Sequence, residues 1–305
     1  MQHPFDFDPT YGYDLPALLA LQPPEPAGDF ADFWQATYAA ASAVPLRLET
    51  RPSSFATSTH NVTEVYFDSL DGVRVGGWLV RHRGARVKRG AVVGHGYGGR
   101  AAPLLTADPK LQLDNSPDLV HLDVCARGFN LSKHPHLPDN AARHVIHGIE
   151  RRETYLHRGC VADIWAAGEA LAQLVPEVAD AMSYHGGSFG GGIGALALPW
   201  CERFKSGALS VPSFGHHPVR LTCRCNGSGE AVRSYHRRHP EVVRVLQYFD
   251  AAVAARFIRV PMAFDCALFD PAVPPPGQFA VHNAVPGQKR LAVSPYGHFA
   301  PPPTA

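Results

Sequence analysis

From residue 91 onward the chain alternates short apolar runs with segments of helical period, and this alternation narrows the folds open to it more than any other feature. The runs "AVVGHGY", "DLVHLDVCA", "DAMSYHGG", "GALSVPSF", "RFIRVPMAFDCALF" and "KRLAVSP" read as strands. Between them, "HRGCVADIWAAGEALAQLV" places Val161, Ile164, Trp165, Leu171, Leu174 and Val175 at helical spacing. "GIGALALPW" and "PPPGQFAVHNAV" also read as helices. Strands that alternate with helices bury both faces of a parallel sheet. The expected class is therefore α/β, a mostly parallel central sheet flanked by helices. An N-terminal helical and hairpin extension precedes it: "DFADFWQATYAAASA" carries Phe30, Phe33, Trp34 and Tyr38 on one side, and "NVTEVYFDSL" and "VRVGGWLVRHR" flank the turn pair Asp71-Gly72. With 305 residues, 45% hydrophobic and no linker-like stretch, the chain is expected to form one domain over 1–305, its first sixty residues being the extension.

The run "SYHGGSFGGGIGALALPW" sets Ser188 in the pattern G-x-S-x-G, with Gly186 and Gly190 on either side. That pattern alone has little specificity; the strand before it and the helix after it supply more. A serine on a sharp strand-to-helix turn is a nucleophile elbow. The competing reading is an ordinary helix N-cap serine.

A nucleophilic hydroxyl needs a base, and the base needs an orienting acid. On α/β-hydrolase folds the chain order is serine, acid, histidine. Six acids follow Ser188: Glu202, Glu230, Glu241, Asp250, Asp265 and Asp270. Asp270 lies just past the end of a strand, whereas Asp265 sits inside it and ranks second. Two histidines follow Asp270: His282, in mid-helix, and His298, in "SPYGHFA" after the last strand. Ser188, Asp270 and His298 are the expected catalytic residues. An oxyanion hole needs two main-chain N–H groups; Phe189, after the serine, and Tyr97, in "GHGYGG", are expected to provide them.

Other function classes lose ground on composition. A formal charge of +1 favours neither nucleic acid nor an anionic membrane surface. No apolar run is long enough to span a bilayer. "MQHPFDFDPTYGY" lacks the basic and apolar regions of a secretory signal. Six scattered cysteines contain no C-x-x-C, and the chain reads as cytoplasmic with reduced thiols. His144-x-x-His147 can share a helix face, but no third metal ligand is evident.

"GHGYGG", "DVCARG", "YLHRGCVADIW", "GGSFGGG", "RVLQYFD", "ALFDPAVPPPGQFAVHNAV" and "YGHF", in that order, resemble the acetyl xylan esterase and cephalosporin-C deacetylase family, carbohydrate esterase family 7. The similarity runs over nearly the whole chain. It implies an α/β-hydrolase fold, a Ser–His–Asp triad at Ser188, His298 and Asp270, and no metal or other cofactor. It also implies small acetylated substrates, such as xylo-oligosaccharide and cephalosporin acetates, and a homo-oligomer, often a hexamer in that family.

Three departures stand out. Phe189 replaces a usual Gln, which implies a more apolar pocket wall. The arginine motif reads Arg127-Gly128-Phe129 where the family ends in Gln; Arg127 is expected to support the site structurally. The chain ends at "GHFAPPPTA", where family members continue into a terminal helix. A peptidase or lactone hydrolase on the same fold, and an inactive binding or assembly protein, are the rival readings.

Overall fold

The computed structural model describes residues 3–300. Residues 301–305, at the point where the resemblance leads one to expect a terminal helix, lie outside the described residues. Nine strands form one sheet: β1 Glu49–Pro52, β2 His60–Asp68, β3 Arg74–His82, β4 Arg89–Gly94, β5 Leu119–Val124, β6 Met182–Gly187, β7 Phe204–Ser210, β8 Met262–Ala267 and β9 Lys289–Ser294. Their spatial order is β1-β2-β3-β5-β4-β6-β7-β8-β9. Pairings from β1 to β5 are antiparallel, and all those from β5 to β9 are parallel.

The helices are α1 Leu15–Ala20, α2 Phe30–Ser42, α3 Ala141–His144, α4 Leu156–Leu174, α5 Phe189–Ala197, α6 His217–Arg220, α7 Gly229–Arg238, α8 Val243–Leu246, α9 Ala251–Ala255 and α10 Pro275–Ala284. Asp71 and Gly72 do turn the β2–β3 hairpin, both with left-handed φ (64° and 72°). Asp68 then pairs with Arg74.

Period-two alternation assigns the two faces of β4. Val92 joins the main core, while Ala91 and Val93 point to a second cluster. The main core lies under α4, which packs on β4 and β5, under α5 on β6 and β7, and under α10 on β8. The N-terminal α2 closes it from outside, with the Trp34 indole N–H donating to the Tyr248 carbonyl at 2.9 Å. The second face is also covered, but over β4 and β5 loop residues Leu104, Leu111 and Leu113 take the place of a helix. Parallel strands all point one way, so the loops after β4, β6, β7, β8 and β9 gather at one edge of the sheet.

Candidate active site

Ser188 joins the end of β6 to the start of α5 with φ 54° and ψ −117°. A non-glycine residue held there costs about 1–3 kcal/mol and persists only when its surroundings enforce it. Here they do. The Ser188 N–H donates to the Ser210 carbonyl at 2.9 Å, and the Ser188 carbonyl accepts from Gly192 and Ser213, both at 3.0 Å. Its side chain makes no capping bond to α5, which removes the N-cap reading. Gly190 permits the sharp turn, because a Cβ there would lie 2.9 Å from the Gly94 carbon and the His95 oxygen.

Asp270 and His298, 28 residues apart, meet beyond the ends of β8 and β9: His298 Nδ1 donates to Asp270 Oδ2 at 2.8 Å. Asp270 is fully buried. Its Oδ1 caps the Ala272 and Val273 N–H groups at 2.9 and 3.0 Å, and Oδ2 also accepts from Gln278 Nε2 at 3.0 Å. Four donors thus fix the carboxylate from both sides. Asp265, the second-ranked acid, bonds instead to the Ser294 hydroxyl at 2.7 Å, and His282 to Asn283 at 3.0 Å. His298 keeps 31% of its side-chain surface open and shares two compartments with Ser188, of 450 and 210 Å³.

The "GHGYGG" loop is pinned from behind. His95 accepts from the Ala126 N–H at Nε2 (2.9 Å) and donates from Nδ1 to the Gly96 carbonyl (2.7 Å). Tyr97 is held through its hydroxyl. The Arg127 carbonyl accepts from His144 Nε2 at 2.9 Å, so His144 Nδ1 accepts the Tyr97 proton at 3.2 Å. His157 Nε2 then donates to the same hydroxyl at 2.9 Å. Burial drives the His95 and His144 pKa values down to about 4, and that of His157 well below its ordinary value, so all three are neutral donor–acceptors. Both His144 nitrogens are engaged in this chain, not turned to a shared site with His147. Among the described residues, neither the Tyr97 nor the Phe189 main-chain N–H meets a main-chain acceptor.

Arg127 belongs to this scaffold, buried and forked onto Asp163 of α4 at 2.9 and 2.7 Å. The Phe189 side chain corrects an expectation. It lines neither compartment. Instead it is 2% exposed and stacks on Tyr97 at 4.1 Å, among His144, His157 and Phe214. The residue after an elbow serine opens the helix, and here its side chain turns into the core.

Sequence reasoning missed Arg220, Ser228 and Gly229, which wall the smaller compartment from α6 and the start of α7. The polar, low-period stretch between β7 and β8 gave no strand or helix signal that pointed to them. A larger cavity of 610 Å³ lies near Tyr38, Trp165, Cys201 and Arg203, and Ser188 and His298 do not line it.

The overall fold recurs in solved structures. The chain is similar to acetyl xylan esterase 1 from Thermoanaerobacterium sp. JW/SL YS485, with 22% identity and a TM-score of 0.82 over 96% of this chain and 95% of that one. It is similar to an acetyl xylan esterase from Paenibacillus sp. R4, with 24% identity and a TM-score of 0.82 over 94% and 95%. An acylaminoacyl peptidase from Pyrococcus horikoshii shares the fold more loosely, with 17% identity and a TM-score of 0.59 over 79% of this chain and 38% of that one. At such identities the likeness concerns the α/β-hydrolase fold. The family itself follows from the sequence model described as acetyl xylan esterase (AXE1), which matches residues 20–301. The chain therefore belongs to the acetyl xylan esterase family of carboxylic ester hydrolases.

Proposed function

We propose that this protein is a serine esterase that deacetylates small acetylated substrates, including xylo-oligosaccharide and cephalosporin-type acetates. Ser188 is the nucleophile, His298 the base and Asp270 the orienting acid. The observation that carries this reading is the buried Asp270 carboxylate bonded to His298 Nδ1 at 2.8 Å, with the His298 ring and a strained Ser188 bordering the same two compartments.

With Nδ1 committed to Asp270, Nε2 is the ring nitrogen left to take a proton. His298 takes the Ser188 proton as Oγ attacks the ester carbonyl. The Tyr97 and Phe189 N–H groups receive the oxyanion. His298 returns the proton to the departing alcohol, leaving an acetyl-enzyme. Water, deprotonated by His298, then adds to that acyl group and releases acetate and free Ser188. General base catalysis contributes about 10²–10⁴-fold, and each oxyanion donor about 10²–10³-fold. Arg127 acts at one remove, through His144 and Tyr97.

Ser188→Ala tests the assignment. It should lower turnover of 4-nitrophenyl acetate by at least about 10³-fold with an unchanged circular dichroism spectrum. A folded variant that keeps a few per cent of wild-type activity would sink it.

Two coarser features belong to the same reading. All six cysteines are buried and unpaired, which supports a reducing, cytoplasmic setting; disulfides in protein purified from its native source would argue against it. Family likeness supports a homo-oligomer of as many as six subunits. Light scattering reads the subunit number, and a monomer rejects it.

A further inference from the structure

Two compartments meet at Ser188 and His298; the larger has Asp108 and Asp265 on its wall, whereas the smaller has Arg220 and no carboxylate. Arg220, at the end of α6, lines the 210 Å³ compartment together with Ser213, Ser228 and Gly229. It is 8% exposed. A guanidinium taken so far out of water is normally matched by a carboxylate, because its desolvation is otherwise uncompensated. Of the other three buried arginines, two follow that rule, Arg127 forked onto Asp163 and Arg233 onto Glu230; the third, Arg100, lines the larger compartment and donates to the Gly94 carbonyl at 3.4 Å.

Arg220 does not. Among the described residues its only side-chain hydrogen bond runs from NH1 to His217 Nδ1 at 3.4 Å, and its guanidinium lies over the Phe214 ring at 5.2 Å. His217 cannot neutralise it: its Nε2 donates to the Phe249 carbonyl at 3.1 Å, so Nδ1 is an uncharged acceptor. The carboxylates in this part of the fold are engaged elsewhere. Asp250 accepts from the His216, His217 and Ala252 N–H groups, Glu230 from Arg233, and Asp270 from the four donors described above.

A tetrahedral intermediate on Ser188 has an acyl arm and an alkoxy arm that leave the carbon in different directions, and two compartments diverge from Ser188. The 450 Å³ compartment, bordered by Lys110, Asp108 and Asp265, suits a variable alcohol. The 210 Å³ compartment, bordered by Tyr97 and Gly98 of the oxyanion loop, suits the acyl group. Its volume equals that of about seven waters at ~30 Å³ each. An acetyl methyl fills little of this space and leaves Arg220 unmatched.

We propose that Arg220 anchors a carboxylate at the far end of a short acyl chain, so that the site also takes half-esters of short dicarboxylic acids, such as succinyl esters. This rests on the assignment of Ser188 as nucleophile. A guanidinium offers two parallel N–H donors to a carboxylate, the strongest neutral-pH pairing available to it.

The test compares kcat/KM for monoethyl succinate, ethyl butyrate and ethyl acetate, with acetoxyacetate as a control for the alcohol arm, followed by acid release at constant pH, in wild type and in Arg220→Gln and Arg220→Lys. Wild type should favour monoethyl succinate over ethyl butyrate by about tenfold or more. Arg220→Gln should lower that ratio by about tenfold, and Arg220→Lys should restore part of it. Free succinate should inhibit wild-type ethyl acetate hydrolysis more strongly than butyrate does, a readout that holds even where a variant fails to fold. A wild-type ratio of one or less, with succinate no better an inhibitor than butyrate, overturns the anchor while ethyl acetate cleavage leaves the esterase reading standing. No cleavage of any of the three overturns both. If Arg220→Gln moves instead the ratio of acetoxyacetate to ethyl acetate, the charge serves the alcohol arm and the acyl assignment is wrong.

Discussion

Gly297, next to His298, offers the sharpest test of how the site is held together. Its N–H donates to the Phe269 carbonyl at 2.9 Å, which lays the chain directly against Asp270. A Cβ at this position would overlap Asp270 Oδ2 and sit 2.6 Å from Cγ. Ordinary contact between carbons begins near ~3.5 Å, so Gly297→Ala must push the two apart by about 1 Å. Asp270 cannot yield without breaking bonds to Ala272, Val273 and Gln278, so the loop with His298 retreats. The 2.8 Å bond from Nδ1 to Oδ2 then lengthens to roughly 3.8 Å, beyond hydrogen-bonding range. A misplacement of about 1 Å costs on the order of 10²-fold in rate, and complete loss of the orienting bond up to about 10⁴-fold. Initial rates on 4-nitrophenyl acetate measure this, with thermal unfolding as the control for the fold. Activity within threefold of wild type in a normally folded Gly297→Ala variant would refute the argument that close approach at this glycine sets the histidine.

The position of Phe189 makes a second prediction. Phe189→Ala should cost about 3–5 kcal/mol of stability, read as a lower urea midpoint, while the ratio of acetyl to butyryl ester activity stays put; a changed ratio at unchanged stability would return the ring to the pocket wall. A third concerns acid. Burial holds His95, His144 and His217 at pKa values of about 4, against ~6.5 in an unfolded chain. Because the folded values are depressed, protons bind the unfolded chain first as pH falls below ~6.5. Stability should therefore be flat above neutrality and decline between about 6.5 and 4, by up to ~3 kcal/mol for each histidine. Equal melting temperatures at pH 7 and pH 4.5 would contradict it.

Much of the architecture was legible in the residues because strands and helices announce themselves by local periodicity. All six apolar runs after residue 90 contain or overlap the strands β4 to β9, and Asp71-Gly72 turns the β2–β3 hairpin. The elbow was legible for the same reason: strand, glycines, serine, glycines and helix are contiguous. The stretch between β7 and β8 was not, since its short helices α6 to α9 carry no long apolar repeat and are placed by distant packing, α6 and α9 on α10 and α7 on α3.

What the sequence alone determined is the alternating α/β order, the serine at a strand-to-helix turn, and the short set of acids and histidines that follow it. Strand position already favoured Asp270 over Asp265 and His298 over His282; the tertiary structure adds which side chains meet. Asp265 points across the sheet to Ser294 while Asp270, beyond the strand end, reaches His298. Phe189 turns into the core, and Arg220 comes to line the pocket of Ser188 from a segment with no signal of its own. The reason is physical: periodicity is a property of neighbours along the chain, whereas the direction of a side chain and the company of its charge depend on contacts between residues far apart in it.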